Sequence, residues 1–353
     1  MSITLSRPSF DRPLAETDRR GHAYVLWVQA SLNRVQNAGL AVDGKFGPRT
    51  RQAVQAFQRR AGLSPDGVVG PRTEAALIAA GAPTPPRGGQ TPVVPPAPIP
   101  SGTGALLGTE TSPPATTFYT NLALGGEAPA RPMTGIFVPN GYRPGPAVDL
   151  ILYLHGHKGG FPSTSIDGYW KRPPFRLREA TNASSKNVIL AAPTLGPKSQ
   201  SGWLTGPGGL DRYLDHVLAT LHAHGPHRGM PERPALGNLI LACHSGGGFP
   251  MRKLARSSQK SSASIRECWG FDCLYNTGDD TEWARWAADH PNARLFVHYQ
   301  GTTVRYSSAL HDRALANGST NVSVTRSPAP DHNHVPLTHW QTRIDACRFL
   351  SNR

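Results

Sequence analysis

Three stretches of this 353-residue chain carry side chains that could do chemistry together. The first centres on Ser245. An apolar run, Asn238-Leu-Ile-Leu-Ala-Cys243, breaks at His244-Ser245-Gly246-Gly247-Gly248 and resumes as a helix-like segment with Pro250 near its start. A serine hydroxyl is a weak nucleophile unless a tight strand-to-helix corner presents it to a base. Gly246 and Gly247 leave room for such a corner, and Pro250 suits a first helical turn, where its missing amide proton has no partner anyway. Gly and Ser are also ordinary loop residues, but the strand before and the helix after favour Ser245 as a nucleophile. The second stretch ends the run Cys268-Trp-Gly-Phe271 with Asp272, placed to orient a histidine. Asp279 and Asp280 read instead as the solvated start of a helix, where carboxylates favour the dipole. The third, Asp331-His332-Asn333-His334-Val335-Pro336, offers two imidazoles, either of which is a candidate base. His339 lies far enough into the last helical stretch to be structural.

These residues need a scaffold. Asp149-Leu-Ile-Leu-Tyr-Leu154 reads as a buried strand ending in His155-Gly156-His157. Further strands are expected at Asn187–Pro193, Cys268–Phe271, Ala293–Tyr299 and Asn321–Thr325, with helices over Gly209–His224 and Asp280–His290. Strands spaced by helices imply a mostly parallel sheet, which puts its chemistry at the carboxyl ends of the strands. Every candidate sits at such an end. His-x-His also occurs in zinc sites, but no Glu-x-x-His or Cys-x-x-Cys partner lies near His155 and His157, so neither a metal nor another cofactor is expected.

This layout resembles the α/β-hydrolase family of serine esterases and lipases. The usual Gly-x-Ser-x-Gly pattern is departed from at its first position, which is Cys243, itself a small residue. The resemblance implies the order nucleophile, acid, histidine, met here by Ser245, Asp272 and a late histidine. In many relatives the acid follows the next strand, but Gln300-Gly-Thr-Thr-Val-Arg-Tyr-Ser307 holds no carboxylate, which leaves Asp272. It favours His332 over His334, because a loop histidine shortly before the Val-Pro step of the last helix is what relatives carry. It also implies an oxyanion site built from backbone amides at His157 and Gly246, each such donor contributing about 3 kcal/mol. Trp170, Phe175, Trp203 and Leu204 fall on insertions and are expected to form an apolar lid or wall.

Residues 24–80 contain a repeat: Asp43-Gly-Lys-Phe-Gly-Pro-Arg-Thr50 recurs as Asp66-Gly-Val-Val-Gly-Pro-Arg-Thr73. In each copy Asp-Gly makes a turn and Pro opens a helix; Val25–Leu32 supplies a third helix with one apolar face. The segment closely resembles the three-helix peptidoglycan-binding module of bacterial and phage cell-wall enzymes. Asp43, Phe46, Asp66 and exposed arginines are candidate wall contacts, the aspartates being equally good turn formers. Pro and Gly crowd residues 81–115, which read as an extended tether. The expected organisation is multidomain: an arm over 1–23, a small three-helix bundle over 24–80, the tether, and an α/β hydrolase fold over 116–353.

The net charge of +14 favours polyanionic surroundings, such as wall polymers bearing phosphate or carboxylate. Nucleic acid is not expected, since no recognition motif accompanies the scattered basic residues. Met1 to Asp11 lack the apolar core of a signal peptide and no stretch could span a bilayer, so an extracellular, periplasmic or wall-associated location would be reached by a route not visible in the chain. Of four cysteines, Cys268 and Cys273 flank Asp272; buried free thiols are expected rather than a bridge. The expected activity is hydrolysis of carboxylic esters with an apolar acyl group, through an acyl-enzyme, close to peptidoglycan or another wall polymer. The other readings are an inactive wall-binding protein, a lipase or polyester hydrolase, and an amidase.

Overall fold

The computed structural model describes residues 22–85, 106–112, 115–122, 124, 133–157 and 165–353. The chain divides into two units, residues 1–101 with 125–127, and residues 102–124 with 128–353. The arm expected over 1–23 falls almost wholly outside the described residues.

The first unit holds three helices, α1 (His22–Gln36), α2 (Pro48–Arg60) and α3 (Pro71–Ala79), packed around Trp27, Val28, Leu32, Val54, Phe57 and Leu77. Proline opens both α2 and α3, after Gly47 and Gly70. The repeat is visible in the polar contacts that fix each turn. The Gln29 amide donates to Asp43 (2.8 Å) and its oxygen accepts from the Gly44 amide (2.9 Å); the Gln58 amide donates to Asp66 (2.8 Å) and its oxygen accepts from the Gly67 amide (2.9 Å). Asp43 and Asp66 also accept from the amides two residues on, so both are turn formers. Phe46, expected as a wall contact, is instead buried in the bundle core.

The second unit is a nine-stranded sheet. Its strands are β1 (Leu106–Ser112), β2 (Ala115–Thr120), β3 (Thr134–Val138), β4 (Ala147–Leu154), β5 (Ile189–Pro193), β6 (Ala235–His244), β7 (Ile265–Phe271), β8 (Arg294–Tyr299) and β9 (Val322–Arg326). They lie in the order β1-β2-β3-β5-β4-β6-β7-β8-β9. The pairs from β1 to β5 are antiparallel and the rest parallel. The helices are α4 (Asp167–Trp170), α5 (Leu177–Ala183), α6 (Gly209–His224), α7 (Gly248–Ala255), α8 (Asp279–Asp289), α9 (Val304–Ala316) and α10 (Val335–Asp345).

Both faces of the sheet are covered, which is why β4 and β6 read as unbroken apolar runs rather than alternating ones. Leu150, Leu152, Leu154, Leu239 and Leu241 pack on one side with residues of α6 to α9. Ile151, Tyr153, Ile240 and Ala242 pack on the other with Trp170, Leu177 and Trp340. After β4 the chain moves to one neighbour, β5, and then returns to the opposite one, β6. Connections therefore diverge at the carboxyl ends of β4 and β6, the place where open α/β sheets leave a crevice.

Three expectations are corrected. The stretch read as tether up to residue 115 contains β1, which pairs with β2; residues 86–105 lie outside the described residues. Trp170, Phe175 and Leu204 are buried in the core and Trp203 packs half-buried against it, so none of them forms a lid: large apolar side chains gain more by packing against the sheet than by facing water. Asp279 and Asp280 do start α8, but they are buried rather than solvated and are held by Arg252 and Arg313.

Candidate active site

β6 ends at His244, and the next three residues form a single tight turn before α7. Ser245 sits at this corner with φ +53°, a left-handed value that non-glycine residues seldom adopt. Crowding from the end of β4 and the loop that follows explains the glycines after it. A Cβ on Gly247 would stand 2.1 Å from the Leu154 carbonyl oxygen, and one on Gly246 would stand 2.2 Å from the His157 ring. Because the Gly247 contact is with the backbone of a central strand, Gly247→Ala is expected to cost about 1–3 kcal/mol, read as a lowered midpoint in urea with an unchanged slope.

Asp272 follows β7 and is also left-handed, with φ +47°. Its amide donates to the His298 carbonyl (2.7 Å), which anchors the corner to β8. One carboxylate oxygen accepts from the Gln300 amide (2.7 Å) and from the Thr303 hydroxyl; the other accepts from His332 Nδ1 at 2.6 Å. Burial alone would raise the pKa of this carboxyl. The hydrogen bonds from His332, Thr303 and Gln300 outweigh it and hold the group below the usual carboxylate range. The segment Gln300–Ser307, notable in the sequence for lacking an acid, thus supplies donors to one.

With Nδ1 donating to Asp272, the neutral His332 ring keeps its lone pair on Nε2. The two late histidines separate cleanly. His334 pairs with exposed Asp331 (2.9 Å), which itself caps the short turn carrying both rings, and makes no contact with Asp272. His339 bonds the Ser327 hydroxyl (2.9 Å) and stacks on His298.

Among the described residues no hydrogen bond joins Ser245 to His332. Tyr275, which the sequence reading passed over, lies beside the base, its hydroxyl 3.5 Å from His332 Nδ1. Burial pushes the phenol up to about 12, so it stays protonated at neutral pH. Its only sequence signal was position, three residues past an acid at a strand end.

The loop after β4 is held from below. His155 is buried, stacks on Tyr169 with centroids 4.1 Å apart, and accepts the Leu195 amide at Nε2 (2.8 Å). The Tyr169 hydroxyl donates to the His157 carbonyl (3.2 Å), and the His157 ring lies over Gly246. Partial burial and the charge of Lys198 lower the His157 pKa. No three His, Cys, Asp or Glu side chains among the described residues form a group that could hold a metal ion. All four cysteines are buried free thiols. No helix among the described residues is long and apolar enough to cross a membrane.

Residues 21–77 match the family described as "Putative peptidoglycan binding domain". No curated protein matches the chain by sequence. Among solved structures, the chain is similar to a ferulic acid esterase at 10% identity, covering 65% of this chain and 96% of that one with a TM-score of 0.44. It is also similar to a fluorophosphonate-binding serine hydrolase F of Staphylococcus aureus (10% identity, 66% and 98% covered, TM-score 0.42). A third is an S-formylglutathione hydrolase from Agrobacterium tumefaciens (11% identity, 68% and 95% covered, TM-score 0.38). The chain joins a helical segment that matches a putative peptidoglycan-binding family to a mostly parallel nine-stranded sheet, flanked by helices, that carries a serine at the sharp corner after β6.

Proposed function

We propose that this protein is a serine hydrolase that cleaves carboxylic esters through an acyl-enzyme and is brought to the bacterial cell wall by its N-terminal module. The observation that carries the reading is the 2.6 Å Asp272–His332 pair set on the same sheet edge as the strained Ser245 corner. In this mechanism His332 Nε2 takes the Ser245 proton as the oxygen attacks the ester carbonyl. Asp272 holds the ring and balances the charge it gains. The backbone amides of His157 and Gly246 receive the negative oxygen of the tetrahedral intermediate. His332 then returns the proton to the departing alcohol, and water, activated by the same ring, releases the acyl group.

Two measurements test the two halves. Wild-type protein should turn over p-nitrophenyl esters, with the best acyl length reporting the pocket; no turnover at any length would leave a wall-binding protein without activity. Met1 to Ala80 alone, which contain their own apolar core, should co-sediment with purified sacculi. If the fragment stays in the supernatant while the full chain is pulled down, wall affinity resides elsewhere.

A further inference from the structure

His244, the residue before the proposed nucleophile, has no part in the mechanism above. Yet its ring is almost wholly buried and directed toward the proposed base. Nε2 lies 3.1 Å from the backbone carbonyl of His332, 88 residues further along the chain. A carbonyl only accepts, so Nε2 carries the proton and the neutral ring has its lone pair on Nδ1. The imidazole is enclosed on three sides. The His332 ring lies 4.3 Å away, Phe175 meets it edge-on at 5.4 Å, and Gly156 leaves room on the third side, where a Cβ would come within 3.2 Å of Nδ1 and 2.7 Å of the Ser245 Cβ. Burial, reinforced by the nearby His332, pushes the His244 pKa down to about 3. The ring therefore stays neutral while its neighbour gains a proton, and adds no repulsion to that step.

Asp272 and Tyr275 both meet the His332 ring at Nδ1, Asp331 caps the turn from its exposed side, and the loop is largely exposed. None of these ties the His332 main chain to the strand that carries Ser245. We infer that His244 is a positioning residue, whose Nε2–H holds the main chain of His332 at a set distance from the serine beside it. This rests on the Ser245–His332 reading. It adds that the strand presenting the nucleophile also anchors the loop presenting the base.

The test compares His244→Phe, which keeps a ring for Phe175 and His332 to pack on but donates no hydrogen bond, with His244→Gln, which keeps a donor. Full-length variants are assayed on a short p-nitrophenyl ester, with Ser245→Ala in parallel. His244→Phe is expected to lose about 100-fold in kcat with KM within about threefold of wild type, as for a displacement of about 1 Å between reacting groups, and His244→Gln to recover at least about tenfold of that loss. If His244→Phe does not fold, His244→Met against His244→Gln makes the same comparison, since Met fills the space without donating. The inference is overturned if the variants lacking a donor match wild type in kcat, or if Gln is impaired as much as they are. Ser245→Ala keeps this failure distinct from that of the mechanism: activity surviving in that variant rejects the serine reading itself.

Discussion

Ser245→Ala should lower kcat for ester hydrolysis by about 10⁴–10⁶-fold while leaving the thermal midpoint close to wild type. Loss of the hydroxyl removes the only atom that forms the proposed covalent intermediate, so no other group inherits the step. The structural cost is small, since alanine keeps the Cβ already present at the corner. A fluorophosphonate that labels wild type should leave this variant unlabelled, which checks the same point without turnover. Ester hydrolysis that persists undiminished in the variant would remove the serine mechanism.

Asp272→Asn should cost about 10⁴-fold in kcat, because it reverses the tautomer of His332 rather than emptying the site. The Gln300 amide and the Thr303 hydroxyl both donate toward one oxygen of residue 272. An asparagine would meet those donors with its carbonyl oxygen and turn its NH₂ toward His332. Nδ1 would then have to accept, the ring proton would move to Nε2, and the lone pair facing the serine would be lost. The pH dependence of stability offers an independent check. The Asp272 carboxyl is depressed in the folded chain, so its stabilisation is complete above an ordinary aspartate pKa of about 4 and fades as the pH falls through the folded value. The asparagine variant should lack that part of the acid sensitivity. Equal activity in the two proteins would show that Asp272 does not orient the base.

Much of the parallel half was legible because its signals are local. The helix expected over Gly209–His224 is α6 with the same ends, Gly208 before it and Gly225 after it acting as stops. β4 and β6 announce themselves because burial on both faces demands unbroken apolar runs. The antiparallel β1, β2 and β3 were not read. Leu106-Leu-Gly-Thr-Glu-Thr-Ser112 and Ala115-Thr-Thr-Phe-Tyr-Thr120 are rich in threonine and flanked by Pro and Gly, and only their pairing across the sheet makes them strands. At the candidate site, residue type and order pointed to Ser245, Asp272 and two late histidines. Residue type and spacing left both His332 and His334 open, and only the resemblance favoured His332; their surroundings differ once Asp331 draws one ring outward and Asp272 the other. Thr303, Tyr275 and His244 were out of reach for the same reason, since each matters through a contact with a residue distant in the chain.

The left-handed backbone at Ser245 and Asp272 has an evolutionary side. Such a corner disfavours most L-residues by roughly 1–2 kcal/mol, less for the aspartate at 272 than for the serine at 245, and glycine would sit at ease in either. Relaxing either position therefore means deleting a group the proposed mechanism needs, so under that mechanism selection for heat tolerance has to work elsewhere in the chain. A lineage that had abandoned chemistry for adhesion would be released from that conflict, and a glycine at position 245 or 272 would be the mark it leaves.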